Sequence, residues 1–149
     1  MIFLENKLNF HVTGKSKGMQ TIAKSDQHTI TIDEPPVMGG EDTGPDPLTT
    51  FLCALSGCEN VVANVVAKEL KFDLQGIEFD IRGVVDRRGF MGDPNVKPYF
   101  EKVTIDTKVQ TSETEERIAE LQRITDSRCP LYTTLKAAGV ELKSKWSKA

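Results

Sequence analysis

Polar and apolar residues alternate along the first part of the chain, which predicts an antiparallel sheet. Residues 2–13 place apolar side chains on one face of a predicted strand, at Leu4, Leu8, Phe10 and Val12. Residues 14–18 combine two glycines with lysines and a serine, a composition typical of a tight turn. Further strands are predicted over 19–25 and 28–33, so we expect the chain to open as a three-stranded meander.

A segment rich in proline and glycine, residues 34–47, separates this meander from the most apolar part of the chain. Its four prolines and three glycines predict irregular structure. A loop of this length in a compact domain is usually functional or disordered. Asp46 and Pro47 at its end suit the N-cap and the first position of a helix.

The most apolar stretch, from Pro47 to about Lys71, predicts a long helix. Its apolar residues recur at intervals of three and four and cover most of the circumference, and a helix of about 24 residues would extend roughly 36 Å. We therefore expect a central, buried helix, and because one sheet covers only one side of it, we expect a second subunit to cover the rest. Gly57 inside this helix predicts the close approach of another backbone.

Strands and helices alternate again in the second half of the chain. Alternating apolar residues predict strands over 76–87 and 99–110, joined by a polar connector. A helix is predicted over 112–127, starting at Ser112 or Thr114, with an apolar face formed by Ile118, Leu121 and either Ile124 or Thr125.

The C-terminal part of the chain predicts a short helix and a last strand. Cys129 and Pro130 open this helix, Gly139 closes it, and the strand covers residues 140–146. The complete order, βββ-α-ββ-α-α-β, predicts an α+β fold with antiparallel sheets in one domain, 1–149.

Composition excludes several classes of function. The net charge of −3 gives no general attraction to nucleic acid or to anionic membranes. The N-terminus reaches a charged residue at Glu5, which argues against a signal peptide, and no stretch is expected to span a bilayer. Three cysteines do not form a disulfide framework, and their spacing does not suit a zinc site. We expect a cytoplasmic protein without a metal or another cofactor.

The three cysteines differ in their chemical setting. Cys53 and Cys58 are five residues apart on the long helix and point about 140° away from each other, so each is expected to pack as a small hydrophobic residue. Cys129 precedes Pro130 at a helix start, where free N–H groups favour a thiolate; a helix cap without chemistry is the alternative. Arg88, in a turn that contains glycine, could place a positive charge beside a thiol, or could simply be solvated.

The loop and the long helix together resemble the OsmC/Ohr family of thiol-dependent hydroperoxide reductases. The similarity lies in the run DEPPVMGGEDTGPDPLTTFLCALSGCENVVANVVAKE and in SRCPLYTTLKAAGVEL, which carry the two cysteine contexts of that family in the correct order. The strand that ends in VVDRRG also fits the family, and the resemblance covers nearly the whole chain.

The resemblance implies a fold, a mechanism and a partner. The fold would be an intertwined homodimer with two sites at the subunit interface. Cys58 would be the peroxidatic cysteine, oxidised by a hydroperoxide to a sulfenic acid, and Cys129 the resolving cysteine that condenses with it to a disulfide. An external dithiol would reduce this disulfide. Cys53 has no role in the scheme and is expected to remain a core residue.

Two features depart from the pattern of the Ohr branch. That branch has an arginine in the N-terminal meander and a glutamate early in the central helix. This chain has no arginine before Arg82, and the positions nine and ten before Cys58, which are Thr49 and Leu48, are not acidic. Lys17 or Arg88 could supply the missing charge. Glu59 adjoins Cys58 but points about 100° away from it, which gives no reason to assign it the role of that glutamate.

Three functions are therefore compatible with the sequence. The first is a thiol peroxidase. The second is a protein of the same fold that binds a small apolar ligand or senses redox state with little turnover. The third is a structural dimer with inert cysteines. Peroxide turnover with a dithiol distinguishes the first from the others.

Overall fold

The computed structural model describes residues 6–149, which divide into two compact units, one ending at Phe51 and the other spanning Leu52–Ala149. In the first unit, strands β1 (Thr13–Lys17), β2 (Gln20–Ser25) and β3 (His28–Ile32) form an antiparallel meander in that order. The predictions of β2, β3 and the meander are confirmed.

The predicted position of the first strand is wrong. Strand β1 lies over the residues expected to form the turn, residues 8–12 are not in a strand, and the part of the prediction over residues 2–5 lies outside the described residues. The turn is formed by Gly18 and Met19, with Lys17 paired to Gln20. Gly18 has a φ of 59°, which glycine adopts without steric cost, so this glycine fixes the register.

The loop after β3 is organised around the carboxylate of Asp33. This carboxylate accepts hydrogen bonds from the backbone N–H groups of Glu34, Glu41 and Thr43 and from the Thr43 hydroxyl, the last at 2.6 Å. The Thr43 hydroxyl is the leading cause that lowers the pKa of Asp33 to about 2. A short 3-10 turn, Pro36–Met38, interrupts the irregular structure that was predicted.

Helix α1 (Pro47–Leu70) begins and ends close to the predicted bounds. Asp46 accepts hydrogen bonds from the Thr49 backbone N–H at 2.9 Å and from the Thr49 hydroxyl at 2.6 Å, the N-cap arrangement that the sequence predicts. The helix contains a window long and apolar enough, by length and composition, to cross a membrane, contrary to the expectation that no stretch would do so. The core helix of a soluble protein meets the same criterion.

Within one chain, only one stripe of α1 is buried. The buried residues are Leu55, Glu59, Ala63, Val66 and Ala67. On the opposite face Val61 is 63% exposed, and Cys53 is exposed, so one chain by itself does not bury this face of the helix or give Cys53 a core position. The second subunit that was expected to cover this face stays a prediction. Successive residues turn by about 100°, which directs Cys53 away from Leu55. Apart from the adjacent residues of α1 itself, no described residue comes within 4 Å of the position that a side-chain Cβ would take at Gly57, so the backbone expected there does not belong to this part of the chain.

The second unit contains a mixed three-stranded sheet. Strand β4 (Gly76–Val84) pairs antiparallel with β5 (Lys102–Gln110), and β5 pairs with β6 (Glu141–Lys148) in parallel. The prediction of purely antiparallel sheets is therefore wrong for this last pair. Two helices connect β5 to β6 and return the chain to the end of the sheet at which β5 began, so the two strands run in the same direction.

Three further helices complete this unit: α2 (Arg87–Phe90), α3 (Glu115–Arg128) and α4 (Pro130–Ala137). Helix α2 lies where a polar turn was predicted, because Asp86 caps its N-terminus. Helix α3 is capped by Thr114, as predicted. The apolar cluster of this unit joins α1, β5, α3 and β6, with buried members Ala63, Val66, Ala67, Phe72, Val109, Ile118, Leu121 and Trp146.

Candidate active site

Two cysteines from distant parts of the sequence are in contact in the second unit. Cys58 is half-buried on α1, and Cys129 is fully buried between α3 and α4. Their Sγ atoms are 3.1 Å apart, with the Cys129 thiol donating to Cys58. A disulfide would require about 2.05 Å, so this is a reduced pair whose sulfur atoms need to approach by only about 1 Å to bond.

Cys129 is held by the junction of two helices. Its backbone N–H donates to the Thr125 carbonyl at the end of α3, and its Sγ accepts from the Tyr132 N–H at the start of α4. Its extended conformation, φ −74° and ψ 116°, is the one that a following proline favours. The sequence CP therefore ends one helix, starts the next and directs the thiol towards α1.

The environment of Cys129 favours the thiol over the thiolate. Burial is the main cause that raises the pKa of Cys129 to about 12, and it outweighs the N–H of Tyr132, which lowers it. The expectation that the helix start favours a Cys129 thiolate is therefore wrong. Arg128 does not compensate, because its guanidinium is paired with Glu69 at 2.7 Å.

A carboxyl pair accompanies the thiol pair. Glu59, next to Cys58, is fully buried, and neither of its carboxyl oxygens has a hydrogen-bond partner of good geometry. Burial, followed by the nearby carboxyl of Asp126, raises the pKa of Glu59 to about 8. Burial also raises the pKa of Asp126, although Ser144 and Gln122 oppose this effect. Two carboxyls in one enclosed site cannot both ionise at low cost, and the proton is held by Glu59 at neutral pH.

Tyr132 completes the cluster from α4. Burial is the main cause that raises its pKa to about 12, and the carboxyls of Asp126 and Glu59 raise it further. The phenol is therefore neutral in the working range of most proteins. Among residues 6–149, no group of three or more His, Cys, Asp and Glu side chains could hold a metal ion.

The two candidate cations occupy different settings. Arg88 lies on α2, and its guanidinium is bound by Asp86 with a shortest N–O distance of 2.5 Å. Lys17 lies at the end of β1, where it lines a cavity of about 430 Å³ that Asp33 and Glu41 also line. A supporting role for either residue stays a prediction.

Sequence reasoning identified the two cysteines but missed the carboxyl pair. The signal for Glu59 is its position midway between Leu55 and Ala63, four residues from each, in the series that defines the buried stripe of α1. A carboxyl at such a position indicates a special site, because an isolated charge is seldom buried. Asp126 shows a weaker signal, since it directly follows Thr125 on the buried face of α3.

Comparisons with known proteins agree with this architecture. A solved OsmC-like protein from Mycoplasma pneumoniae superposes with a TM-score of 0.82 and 19% identity, covering 97% of this chain and 99% of the other. An organic hydroperoxide resistance protein from Elizabethkingia anophelis gives a TM-score of 0.77 at 18% identity, covering 98% and 100%. At such identities these similarities establish the fold.

Comparison at the level of sequence adds a similar protein and a family to these structural similarities. A hydroperoxide reductase from Mycoplasma genitalium is 28% identical over 116 residues, which is 76% of each chain. The model of the OsmC family, described as OsmC-like protein, matches residues 40–145, which include both cysteines and the carboxyl pair. The fold, the match over most of the chain and the two cysteine contexts agree, and the chain belongs to the OsmC family.

Proposed function

We propose that this protein is a thiol-dependent hydroperoxide reductase in which Cys58 is oxidised by the peroxide and Cys129 resolves the product. The observation that supports this most directly is the 3.1 Å contact between the two Sγ atoms. The names of similar proteins, a hydroperoxide reductase and an organic hydroperoxide resistance protein, support the same class of substrate.

The first chemical step joins Cys58 to an oxygen of the peroxide. The Cys58 thiolate attacks the oxygen that bears hydrogen; an S–O bond forms, the O–O bond breaks, and the leaving alkoxide takes a proton from water to become an alcohol. Cys58 is thereby oxidised to a sulfenic acid and the peroxide is reduced. The half-buried position of Cys58 suits this role because a peroxide must reach it.

The second step closes the cycle. The sulfur of Cys129 attacks Cys58; an S–S bond forms, the S–O bond of the sulfenic acid breaks, and the departing hydroxide leaves as water with the proton of Cys129. An external dithiol then reduces the disulfide. The complete burial of Cys129 suits a residue that reacts with its neighbour and not with a diffusing oxidant.

The assembly that we propose is a homodimer in the cytoplasm. The exposed face of α1, with Val61 63% and Val65 46% exposed, would be covered by a second copy. The open space beside Gly57 would accept the backbone of that copy. The apolar character of this helix favours an organic hydroperoxide over hydrogen peroxide, and no cofactor takes part in the cycle.

A second candidate function is redox sensing or the binding of a small apolar ligand with little turnover. The first 81 residues contain no arginine that could support a Cys58 thiolate. The guanidinium of Arg88 is already bound by Asp86. A sensor would oxidise once and stop, whereas a reductase turns over.

Consumption of cumene hydroperoxide with dithiothreitol separates these functions. For a reductase we expect many turnovers per wild-type subunit, loss of turnover in Cys58→Ser, and sulfenic acid at Cys58 in Cys129→Ser. The matched control is Cys53→Ser, which replaces an exposed cysteine of the same helix and should keep the wild-type rate. A wild-type protein that is folded but oxidises only once would contradict the proposal and support sensing.

A further inference from the structure

The two segments that bring the thiols together also bring two carboxyls together. Glu59 directly follows Cys58 on α1, and Asp126 lies three residues, or nearly one helical turn, before Cys129 on α3. One contact between the segments joins the two sulfur atoms. The same two segments bring the carboxyls of Glu59 and Asp126 near enough for each to change the pKa of the other.

Glu59 is costly for folding at this position. It lies in the centre of the buried stripe of α1 with 0% exposure, and its two oxygens lack hydrogen-bond partners of good geometry. An apolar residue of similar size would avoid the cost of burying a carboxyl. Structural stability therefore does not account for Glu59, whereas a carboxyl that must exchange a proton has to be an acid.

The groups around the pair keep a single proton on it. Asp126 is surrounded by groups that favour its charge: its Oδ2 accepts a hydrogen bond from Gln122 at 3.5 Å, and Lys136 is near enough to lower its pKa. Tyr132 is near enough to both carboxyls for each to raise its pKa, and its phenol stays neutral. A singly protonated pair can donate one proton and has oxygens free to accept another.

The pair also acts on the resolving thiol. The carboxyl of Glu59 is among the causes that raise the pKa of Cys129. The same thiol has no described cation beside it to favour its ionisation, since Arg128 is paired with Glu69. Cys129 must nevertheless lose its proton to attack Cys58, because the thiolate is the nucleophile in such exchanges.

We propose that the Glu59–Asp126 pair is the proton relay of the resolving step: it takes the proton of the Cys129 thiol and gives one to the group that leaves Cys58. During the step the S–S bond forms and the S–O bond of the sulfenic acid breaks. The hydroxide takes a proton from the pair and leaves as water, and the proton of Cys129 restores the pair. The inference rests on the proposed roles of the two cysteines.

This relay has a distinctive pH dependence. Above about pH 8 the pair loses its proton, and two negative charges beside Cys129 oppose its ionisation. The resolving rate of the wild type should therefore stop rising near pH 8, although thiol attack normally accelerates as more thiolate forms. A variant without the acid at position 59 should rise continuously with pH.

The test uses thionitrobenzoate as the leaving group, which departs as an anion. The test therefore requires no peroxide and measures the half of the relay that takes the proton of the Cys129 thiol. In a Cys53→Ser background, Cys58 is converted to its mixed disulfide, and attack by Cys129 releases coloured thionitrobenzoate. We expect Glu59→Gln to slow this release at pH 7 by about 10-fold or more, the usual scale of lost acid–base assistance. We also expect the change of slope near pH 8 to disappear, and Glu59→Asp to retain it.

The outcomes separate the two proposals. Equal rates and equal pH profiles for wild type and Glu59→Gln would overturn the relay. Normal, Glu59-dependent release combined with a Cys58 that peroxides fail to oxidise would overturn the proposed reductase and leave the relay standing. If circular dichroism shows that Glu59→Gln is unfolded, Asp126→Asn replaces it with the same expected and contradicting results.

Discussion

The Sγ atoms of Cys58 and Cys129 lie 3.1 Å apart although 71 residues separate them in the sequence. Helix α1 supplies one sulfur, and the junction of α3 and α4 supplies the other. Their burial differs: Cys58 is half-buried, and Cys129 is inaccessible. The pair therefore has one sulfur that a substrate can reach and one that only its neighbour can reach.

This difference predicts the pattern of alkylation of the reduced protein. With iodoacetamide at pH 7, we expect the half-buried Cys58 to be modified at least about 10-fold faster than Cys129, because a thiol with a pKa of about 12 is almost entirely protonated and the thiolate is the nucleophile. Peptide mass spectrometry measures both rates in one sample. Comparable rates at the two positions in the folded protein would contradict the assigned burial.

The buried Glu59 predicts that stability falls as pH rises. Its pKa is raised from 4.5 to about 8 in the folded state, so the folded state favours the protonated acid. The free energy of unfolding is therefore highest below about pH 4.5 and falls progressively as the pH rises to about 8. Each pH unit in this window costs at most about 1.4 kcal/mol of stability. In urea unfolding we expect the free energy of unfolding of Glu59→Gln to increase relative to that of the wild type from pH 5 to pH 8. A constant difference across this range would contradict the assigned proton.

The sequence predicts the thiol site better than the carboxyl site for a physical reason. The bounds of α1 follow from Asp46 and Pro47, and the position of Cys129 follows from Pro130, because caps and prolines act locally. Glu59 and Asp126 are distinguished only by burial, which depends on how α1 and α3 pack. The apolar pattern of the two helices therefore makes no prediction of a buried carboxyl at either position.

The strand errors have a similar origin. Residues 2–13 show the alternation of apolar and polar side chains that is typical of a strand. Strand β1 is nevertheless set by its pairing with β2, and the tight turn at Gly18 places the paired residues at Thr13–Lys17. The parallel pairing of β6 with β5 depends on the path of two helices between them. Neither relationship is contained in the alternation of a single segment.

Asp33 predicts a separate response to acid. Its hydrogen bonds to Thr43 and to backbone N–H groups lower its pKa to about 2, so the folded state favours the carboxylate. This stabilisation is present above about pH 4 and is lost as the pH falls through about 2. We expect Asp33→Asn to be less stable than the wild type at pH 6 and the difference to shrink towards pH 2. Unfolding curves at a series of pH values measure this, and a difference that grows on acidification would contradict the hydrogen-bond pattern.

The burial of Leu121 predicts how much the apolar cluster between α3 and the sheet contributes to the free energy of unfolding. It is fully buried, so Leu121→Ala should lower the free energy of unfolding by about 2–5 kcal/mol. Arg123→Ala on the exposed side of α3 is the control and should change it by less than about 0.5 kcal/mol. Protein concentration must be equal in both experiments, because a dimer is stabilised by mass action. Equal effects of the two substitutions would contradict the assignment of Leu121 to the core.

The exposed face of α1 allows a test of the proposed homodimer. Val61 is 63% exposed near the open space beside Gly57, so a carboxylate introduced there would have to be buried if a second copy covers this face. We expect Val61→Glu to shift the protein from dimer to monomer in sedimentation velocity experiments. Ala119→Glu, which adds the same charge to an exposed position of α3, should leave the dimer unchanged.

The same pair of variants tests whether this association matters for the thiol chemistry. Cys58 lies next to Gly57 on α1, so a second copy covering this face would also border the entrance to Cys58. We therefore expect the monomeric Val61→Glu to lose peroxide turnover while its reduced cysteines still form the disulfide with an added oxidant. A dimer that survives Val61→Glu would place the subunit interface on another face, and full turnover by a monomer would show that one chain is sufficient.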